Sequence, residues 1–408
     1  MKTTIAEILD PNRSWFGKVS SFLKVYQQLY GLSYIRNAEE ISSTFYDYCL
    51  KGKYFVVIAL YNSKNEFFVQ RDFAKGGKGW EFIGGWLRKD ELFDQALDRI
   101  VEREAGNSLM EAIPISIVKN SYFTADGKKV SHLGLAFLGR VIHDVVTTQD
   151  GVFSRNPEKF LNKGDVKILT LGKKVLKKAI QKVPMEEVTV SKSKLVNAID
   201  KHIVKPLTFN FSSNILSHRI YKHATSVGKN DKRLLIDVAC GDDASILKIA
   251  GASKLVVAND ISRRTMSDLI KHSLNKRVIF TNQNLLGLNF QMKFDVVICK
   301  NTLHHMRDSN EIEMLFETLR NLGKRIIIMD IEDPQRNFIA KLWNGYYVNF
   351  LKDQGDFFVT FQQFKDIIEL FFVDNEKILF EKIKTVKGVY MLAVIDQEKG
   401  SGDINYKN

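Results

Sequence analysis

Cysteine is scarce in this chain of 408 residues. Cys49, Cys240 and Cys299 stand far apart in sequence, with neither a metal-type spacing nor an evident disulfide framework, so a reducing, cytoplasmic setting is expected. No window of about 18 or more residues is continuously apolar, which argues against a helical membrane span. The first residues, MKTTIAEILDPNRSW, hold one lysine and break their apolar run with Glu7 and Asp10, unlike a secretory signal. There are 6 prolines, no internal repeats, no GxGxxG and no aromatic-basic signature of RNA recognition. Acid is in deficit: 47 Asp and Glu against 60 Lys and Arg leave a net charge of +13. A basic chain suits nucleic acid, an anionic surface or phosphorylated small molecules. Much of the excess lies in LGKKVLKKAIQKV (171–183) and in KSK around Ser193, where a solvated helix face is the simpler reading.

What is present is globular: 45% hydrophobic and 26% charged residues, in a chain too long for one comfortable core. Residues 1–50 read as a helical extension, with FLKVYQQLY at helical spacing. From 51 to 165 strands dominate (YFVVIALY, EFFVQ, WEFI, IPISIVK, LGLAFLGRVI), with a helix at 91–105. Residues 166–215 read as a basic helical connector broken by Pro184 and Pro206. From 216 to 397, RLLIDVA, KLVVAND, RVIFTNQ, FDVVICK and RIIIMDI alternate with amphipathic stretches, as in a parallel sheet wrapped by helices. The last residues, 398–408, read as a frayed tail.

The strand LLID runs into VACGDDAS and then a helix. Small residues at such a turn let backbone approach a ligand, and the helix start offers N–H groups. Alone, this fits any nucleotide site. About twenty residues on, LVVAND ends in Asp260, placed to accept hydrogen bonds from ribose hydroxyls. TNQNLL brings Asn282, Gln283, Asn284 and Leu285 to the end of a third strand, and FDVVICKNTLHHM opens from an apolar strand into a polar end. Together LLIDVACG, VVANDIS, TNQNLL, FDVVICKNTLHHM and RIIIMDIEDP resemble a class I methyltransferase that uses S-adenosylmethionine, of the small-molecule branch, over about 180 residues. That resemblance implies that Asp237, Ala239 and Gly241 line the methionine and ribose, and that Asp260 holds the ribose with Ile261 against adenine. It also puts Asn284 and Leu285 near the adenine edge and Asn301 beside the methionine. Ala239 and Asp243 depart from the family's glycines, the second unusually. Methyl transfer needs an aligned nucleophile and, for a hydroxyl acceptor, proton removal. His304 and His305 are candidates for that base, or else cap the next helix or pack on the cofactor. Tyr346 and Tyr347 are candidates to close the acceptor pocket, or else pack within a helix.

In GGWLRKDELFDQALDRIVEREAG a glycine turn precedes a charged helix bearing Arg99 and Glu104. A carboxylate beside a backbone carbonyl suits Mg²⁺; a charged surface helix is the simpler reading of the same residues. The spacing of Gly85, Glu91, Arg99, Glu104 and Gly106 resembles the Nudix box. It departs at two metal carboxylates, which here are Ile100 and Arg103, as in the GDP-mannose mannosyl hydrolase branch, which works with one metal ion and which RDFAKGGKGWEFIGGWLRKDE resembles. The resemblance implies Mg²⁺ on Gly84 (carbonyl), Glu104 and Gln149, with Glu104 catalytic and Arg71 on a diphosphate. The branch's histidine base has no match in TTQDGVF; His143 and Asp150 are the nearby substitutes.

The expected fold is α/β throughout: an N-terminal Nudix α/β/α sandwich with a mixed sheet, a helical connector and a C-terminal Rossmann-like methyltransferase with a mostly parallel seven-stranded sheet. The expected function is methylation of a small molecule, phosphorylated or nucleotide-linked, with a Nudix-like part that hydrolyses or binds a nucleoside-diphosphate compound. A silent Nudix-like binding module and a methyltransferase acting on RNA or its cap are the two alternatives, the latter not favoured.

Overall fold

The structure, a computed structural model, describes residues 14–50, 52–71, 79–144, 151–182, 210–226, 233–243, 245–251, 253–272, 277–288, 290–346, 348–349, 355, 357–372 and 376–397. Two sheets organise them. The described residues fall into two compact units: one reaches to residue 184 and includes 241–247 and 259–292, and the other comprises the remainder.

The chain opens with α1 (Trp15–Tyr30), capped by Ser14 and closed by Gly31 in the left-handed conformation. Its buried Val19, Phe22, Leu23, Tyr26 and Leu29 recur every three or four residues, the spacing of one helix face. Then come β1 (Tyr34–Glu40), α2 (Ser43–Cys49), β2 (Tyr54–Tyr61), β3 (Phe67–Arg71), β4 (Trp80–Glu81), β5 (Ile83–Trp86), α3 (Phe93–Ala105), β6 (Leu109–Phe123), β7 (Lys129–Val141), β8 (Gly151–Ser154) and α4 (Lys163–Lys182). The sheet runs β1-β6-β7-β2-β3-β4, with β5 also on β2 and β8 on β3. It is mixed: β1 lies parallel to β6 and β2 parallel to β7, while β6–β7 and β2–β5 are antiparallel.

Two features were expected to be purely helical or connecting. Tyr34–Glu40 is a strand, because it pairs in register with Ile117–Phe123, a partner its local sequence does not announce. The lysine-rich α4 is a packed helix: Ile168, Leu169 and Leu176 join a core with Phe55, Val57, Ala59 and Tyr61 of β2. Alternation along β2 sends Val56, Ile58 and Leu60 to the opposite face. The sheet therefore carries apolar residues on both faces, as an α/β/α sandwich requires.

The second sheet is built from α5 (Asn210–Thr225), β9 (Leu234–Asp237), α6 (Ser245–Gly251), β10 (Leu255–Asn259), α7 (Arg263–His272), β11 (Val278–Thr281), β12 (Phe294–Lys300), α8 (Ser309–Leu322), β13 (Gly323–Ile331), α9 (Phe338–Tyr346), α10 (Phe361–Phe371), β14 (Glu376–Thr385) and β15 (Gly388–Gln397). Strand order is β11-β10-β9-β12-β13-β15-β14. β10, β9, β12 and β13 are mutually parallel, and β15 enters antiparallel to both β13 and β14. The continuous burial of β10 and β11 follows from helices on both faces. The order reverses between β9 and β12, which makes their carboxyl ends the natural binding crevice of such a sheet. Among the described residues no helix is long and apolar enough to cross a membrane. The three cysteines are free thiols, all buried.

Candidate functional site

At the carboxyl end of β9, Asp237 is buried and accepts the Ala239 N–H at 3.3 Å, which shapes the turn that follows. Gly241 sits in that turn at φ 56°, and a Cβ there would meet nothing within 4 Å. Conformation, not crowding, asks for glycine here. The unusual Asp243 has a local explanation: its Oδ1 accepts the Ser245 N–H at 2.8 Å and so caps α6.

Asp260 follows β10 directly. Its two oxygens accept the Gly241 N–H (2.8 Å) and the Ser262 N–H (2.9 Å). Burial pushes its carboxyl above the ordinary range; those two N–H donors pull the other way, and the nearby Asp242 adds to the rise. Each carboxylate oxygen retains a second lone pair. A half-buried carboxylate already aimed by backbone suits a pair of ribose hydroxyls. Ile261 beside it is exposed. Asn284 spends its Oδ1 on the Leu286 N–H (3.0 Å), capping the single 3₁₀ turn Leu285–Gly287, so its Nδ2 is the group left to address a base edge. Leu285 is buried under that turn. Asn301 adopts φ 51° after β12 and donates its N–H to Met329 O at 2.8 Å; asparagine tolerates this left-handed geometry better than most residues.

The two histidines separate here. His304 places Nδ1 2.5 Å from Asp330 Oδ1, and its own N–H donates to Asp330 Oδ2 at 3.2 Å. Asp330 lies in β13 and is 1% exposed. Burial works to raise its carboxyl, but the His304 charge and hydrogen bond, with the Ile331 and His304 N–H donors, together hold it below the ordinary range. Phe358 stacks on the imidazole at 5.5 Å and 11°, and a Cβ on Gly355 would come within 2.7 Å of its Cδ2. His305 is exposed, its ring centroid 4.1 Å from that of His304. Sequence reasoning found the histidines and missed Asp330; an acid near the end of a fifth strand, in IIIMDI, was the available signal. Tyr346 ends α9 and meets Trp343 edge-on at 5.9 Å, within its own helix. Tyr347 lies outside the described residues.

The glycine turn of the N-terminal region is β5. Gly84 faces Val57 of β2, and a Cβ on it would stand 2.8 Å from Val56 O, so the backbone can approach only without a side chain. Glu91 and Arg99 form a two-pronged pair at 2.7 Å for each contact, and Arg99 Nη2 also reaches Trp86 O at 3.0 Å. This clip fastens the loop to α3, while Gly106 at φ 57° ends the helix. The metal expectation fares differently. Ile100, at one family carboxylate position, is fully buried. Arg103, at the other, turns onto the remaining acid: its Nε lies 2.6 Å and its Nη2 2.5 Å from Glu104 Oε1. A Cβ on Gly85 would meet Ile100 at 3.2 Å and Arg103 Nη2 at 3.5 Å, so both replacements face the turn. Mg²⁺ wants several oxygen ligands and uncompensated negative charge. Here one carboxylate faces one guanidinium, and among the described residues no group of three or more His, Cys, Asp or Glu could hold a metal. The described donor set does not fit Mg²⁺. Gln149 and Asp150 lie outside the described residues. Arg71 is exposed at the end of β3, its guanidinium 5.7 Å over the Trp80 ring. His143 is exposed and held through its backbone by Asn107.

Comparison with known proteins finds one family match in each half of the chain. A family model described as a methyltransferase domain matches residues 235–338, and one described as a NUDIX domain matches residues 51–169. Both domains are present, the second preceding the first in the chain. No curated protein matches the chain at a significant level. Among solved structures, a complex of DhpI with S-adenosylhomocysteine is 15% identical, covering 50% of this chain and 92% of its own, at a TM-score of 0.36. Magnesium protoporphyrin IX methyltransferase from Synechocystis PCC 6803 is 14% identical over 55% of this chain and 95% of its own, at 0.38. The N-methyltransferase NodS from Bradyrhizobium japonicum WM9 is 10% identical over 46% and 87%, at 0.36.

Proposed function

Given a chain that joins a NUDIX domain to a methyltransferase domain, we propose that it methylates a small molecule from S-adenosylmethionine and that its NUDIX domain binds a nucleoside-diphosphate compound without cleaving it. The observation that carries the first half is the Asp260 carboxylate at the end of β10, each oxygen held by a backbone N–H, of Gly241 and of Ser262. S-adenosylmethionine, when bound, supplies a methyl group made electrophilic by its sulfonium. Asp260 would receive the ribose hydroxyls, Ile261 and Leu285 would flank the adenine, and the Asn284 Nδ2 would meet its edge. Asp237, Ala239 and Asn301 border the methionine portion. Asp330 accepts a hydrogen bond from the Nδ1–H of His304, which fixes the tautomer and leaves Nε2 as the basic nitrogen. Nε2 would then accept the proton of an acceptor hydroxyl or amine while the acceptor's heteroatom bonds to the methyl and the methyl–sulfur bond breaks, its electron pair staying on sulfur. His305, Tyr346 and Tyr347 belong to the acceptor side of this reading.

The second half is supported by the Arg103–Glu104 pair, which sets a guanidinium on the acid that metal-assisted hydrolysis would need. Arg71 remains suited to a diphosphate because it is exposed and oriented by Trp80. The test is a panel of phosphorylated and nucleotide-linked small molecules incubated with methyl-labelled S-adenosylmethionine, with and without Mg²⁺. Label should enter a small molecule, and nucleotide diphosphates should emerge intact. Mg²⁺-dependent release of a sugar or phosphate would overturn the silent-module reading, and label appearing only in RNA would overturn the small-molecule one.

A further inference from the structure

Arg263, the first residue of α7, is 2% exposed. Its Nε donates to Asp98 Oδ1 at 2.7 Å. Nη1 donates to Asp94 Oδ1 and to Asn282 Oδ1, both at 3.3 Å. Nη2 donates to the Asp94 carbonyl at 2.6 Å and to Asp98 Oδ2 at 3.3 Å. A guanidinium has five N–H donors, and all five are used. Asp94 and Asp98 are four residues apart on α3, hence on one face of it, and neither belongs to the Nudix frame of Glu91, Arg99 and Glu104. Tyr26 of α1 closes the set by donating to Asp94 Oδ2 at 3.2 Å.

The same guanidinium leads to the cofactor acid by two routes. Asn282, fully buried, accepts from Arg263 and donates its Nδ2 to the Asp260 carbonyl at 2.9 Å. Along the backbone, Arg263 follows Ser262, whose N–H holds one oxygen of the Asp260 carboxylate. Asp94, Asp98, Arg263, Asn282, Asp260 and Gly241 all lie in the first compact unit.

We propose that Arg263 is a positioning residue for Asp260, and that α3, in place of a metal site, presents the acidic socket that holds it. The segment that binds S-adenosylmethionine is then incomplete without Asp94 and Asp98 of the NUDIX domain. Removing one acid loosens the guanidinium, lets the Asn282 amide and the start of α7 drift, and releases the aim of the Asp260 carboxylate. The inference rests on the reading of Asp260 as the ribose acid.

The test uses the full chain and S-adenosylhomocysteine as the probe, titrated by calorimetry into the wild type, D98N, R263K and D260A. The Asp98 side chain is 42% exposed, so D98N removes one arm of the socket without stranding a fully buried charge. D98N and R263K are expected to bind about tenfold more weakly. The core variant I168V, away from the network, keeps wild-type affinity. In the wild type the probe should slow amide exchange across 93–105, and in D98N this protection should vanish. Wild-type affinity in both D98N and R263K, or an equal loss in I168V, overturns the positioning role. Undiminished binding by D260A overturns the ribose-acid reading and this inference with it; loss in D260A alone overturns the inference and leaves that reading standing.

Discussion

His304 gains its character from a residue 26 positions away. A lone imidazole on a surface turn is free to choose its tautomer, whereas one held by a buried carboxylate is not. Replacing His304 with alanine should lower transfer to an accepting compound by about a hundred- to ten-thousandfold, while affinity for S-adenosylhomocysteine stays within about twofold of wild type. Rates and calorimetry on the same preparation check this, and a matching fall in affinity would place His304 in cofactor binding instead. A second residue carries a different charge problem. Glu111 is buried, accepts the Tyr61 hydroxyl at 3.1 Å, and burial pushes its carboxyl from 4.5 to about 7, partly offset by Tyr61 and Arg140. Between those values the folded protein holds a proton that the unfolded chain has released. Stability from this group is therefore present at low pH and is lost as pH rises through about 7. E111Q should stabilise the protein at pH about 8 relative to the wild type, by up to about 3 kcal/mol more than at pH about 5. Urea unfolding at the two pH values decides it, and a pH-independent difference would contradict the assignment.

At the scale of elements, α3 has two loaded faces. One carries Arg99 onto Glu91 and the Trp86 carbonyl, and the other carries Asp94 and Asp98 onto Arg263. R99A leaves Glu91, only 11% exposed, without its guanidinium, and should cost about 3 kcal/mol of stability by urea unfolding. A cost near zero would mean that the clip is an ornament of the turn. The legibility of these elements followed contact range. Periodicity announced α3 and the parallel strands, and the acid at the end of the second strand announced Asp260. It could not announce β1, whose strand state depends on pairing with residues about 83 positions on. Nor could it announce Asp94 or Asp98, which read as solvated charge until Arg263, 169 and 165 positions away, is brought against them. Asp243 looked like damage to a glycine loop and is a helix cap, a role visible only once the start of α6 is fixed.

For the whole molecule, the fusion order and both sheet types were readable, because each rests on short-range motifs. The state of the NUDIX domain was not, because it turns on where Arg103 points. With that side chain on Glu104, added Mg²⁺ should leave the melting temperature unchanged, whereas a competent metal site would raise it by mass action. Differential scanning fluorimetry across a Mg²⁺ series separates the two. The net charge of +13 suits a phosphorylated ligand.

In the function proposed here, Asp260 at the carboxyl end of β10 holds the ribose of S-adenosylmethionine. The most direct test is calorimetric titration of S-adenosylhomocysteine into the full chain and into D260A. One-to-one saturable binding is expected, and it should be lost in D260A while the variant keeps its cooperative melt. No binding to the wild type, or equal binding to both, would contradict it.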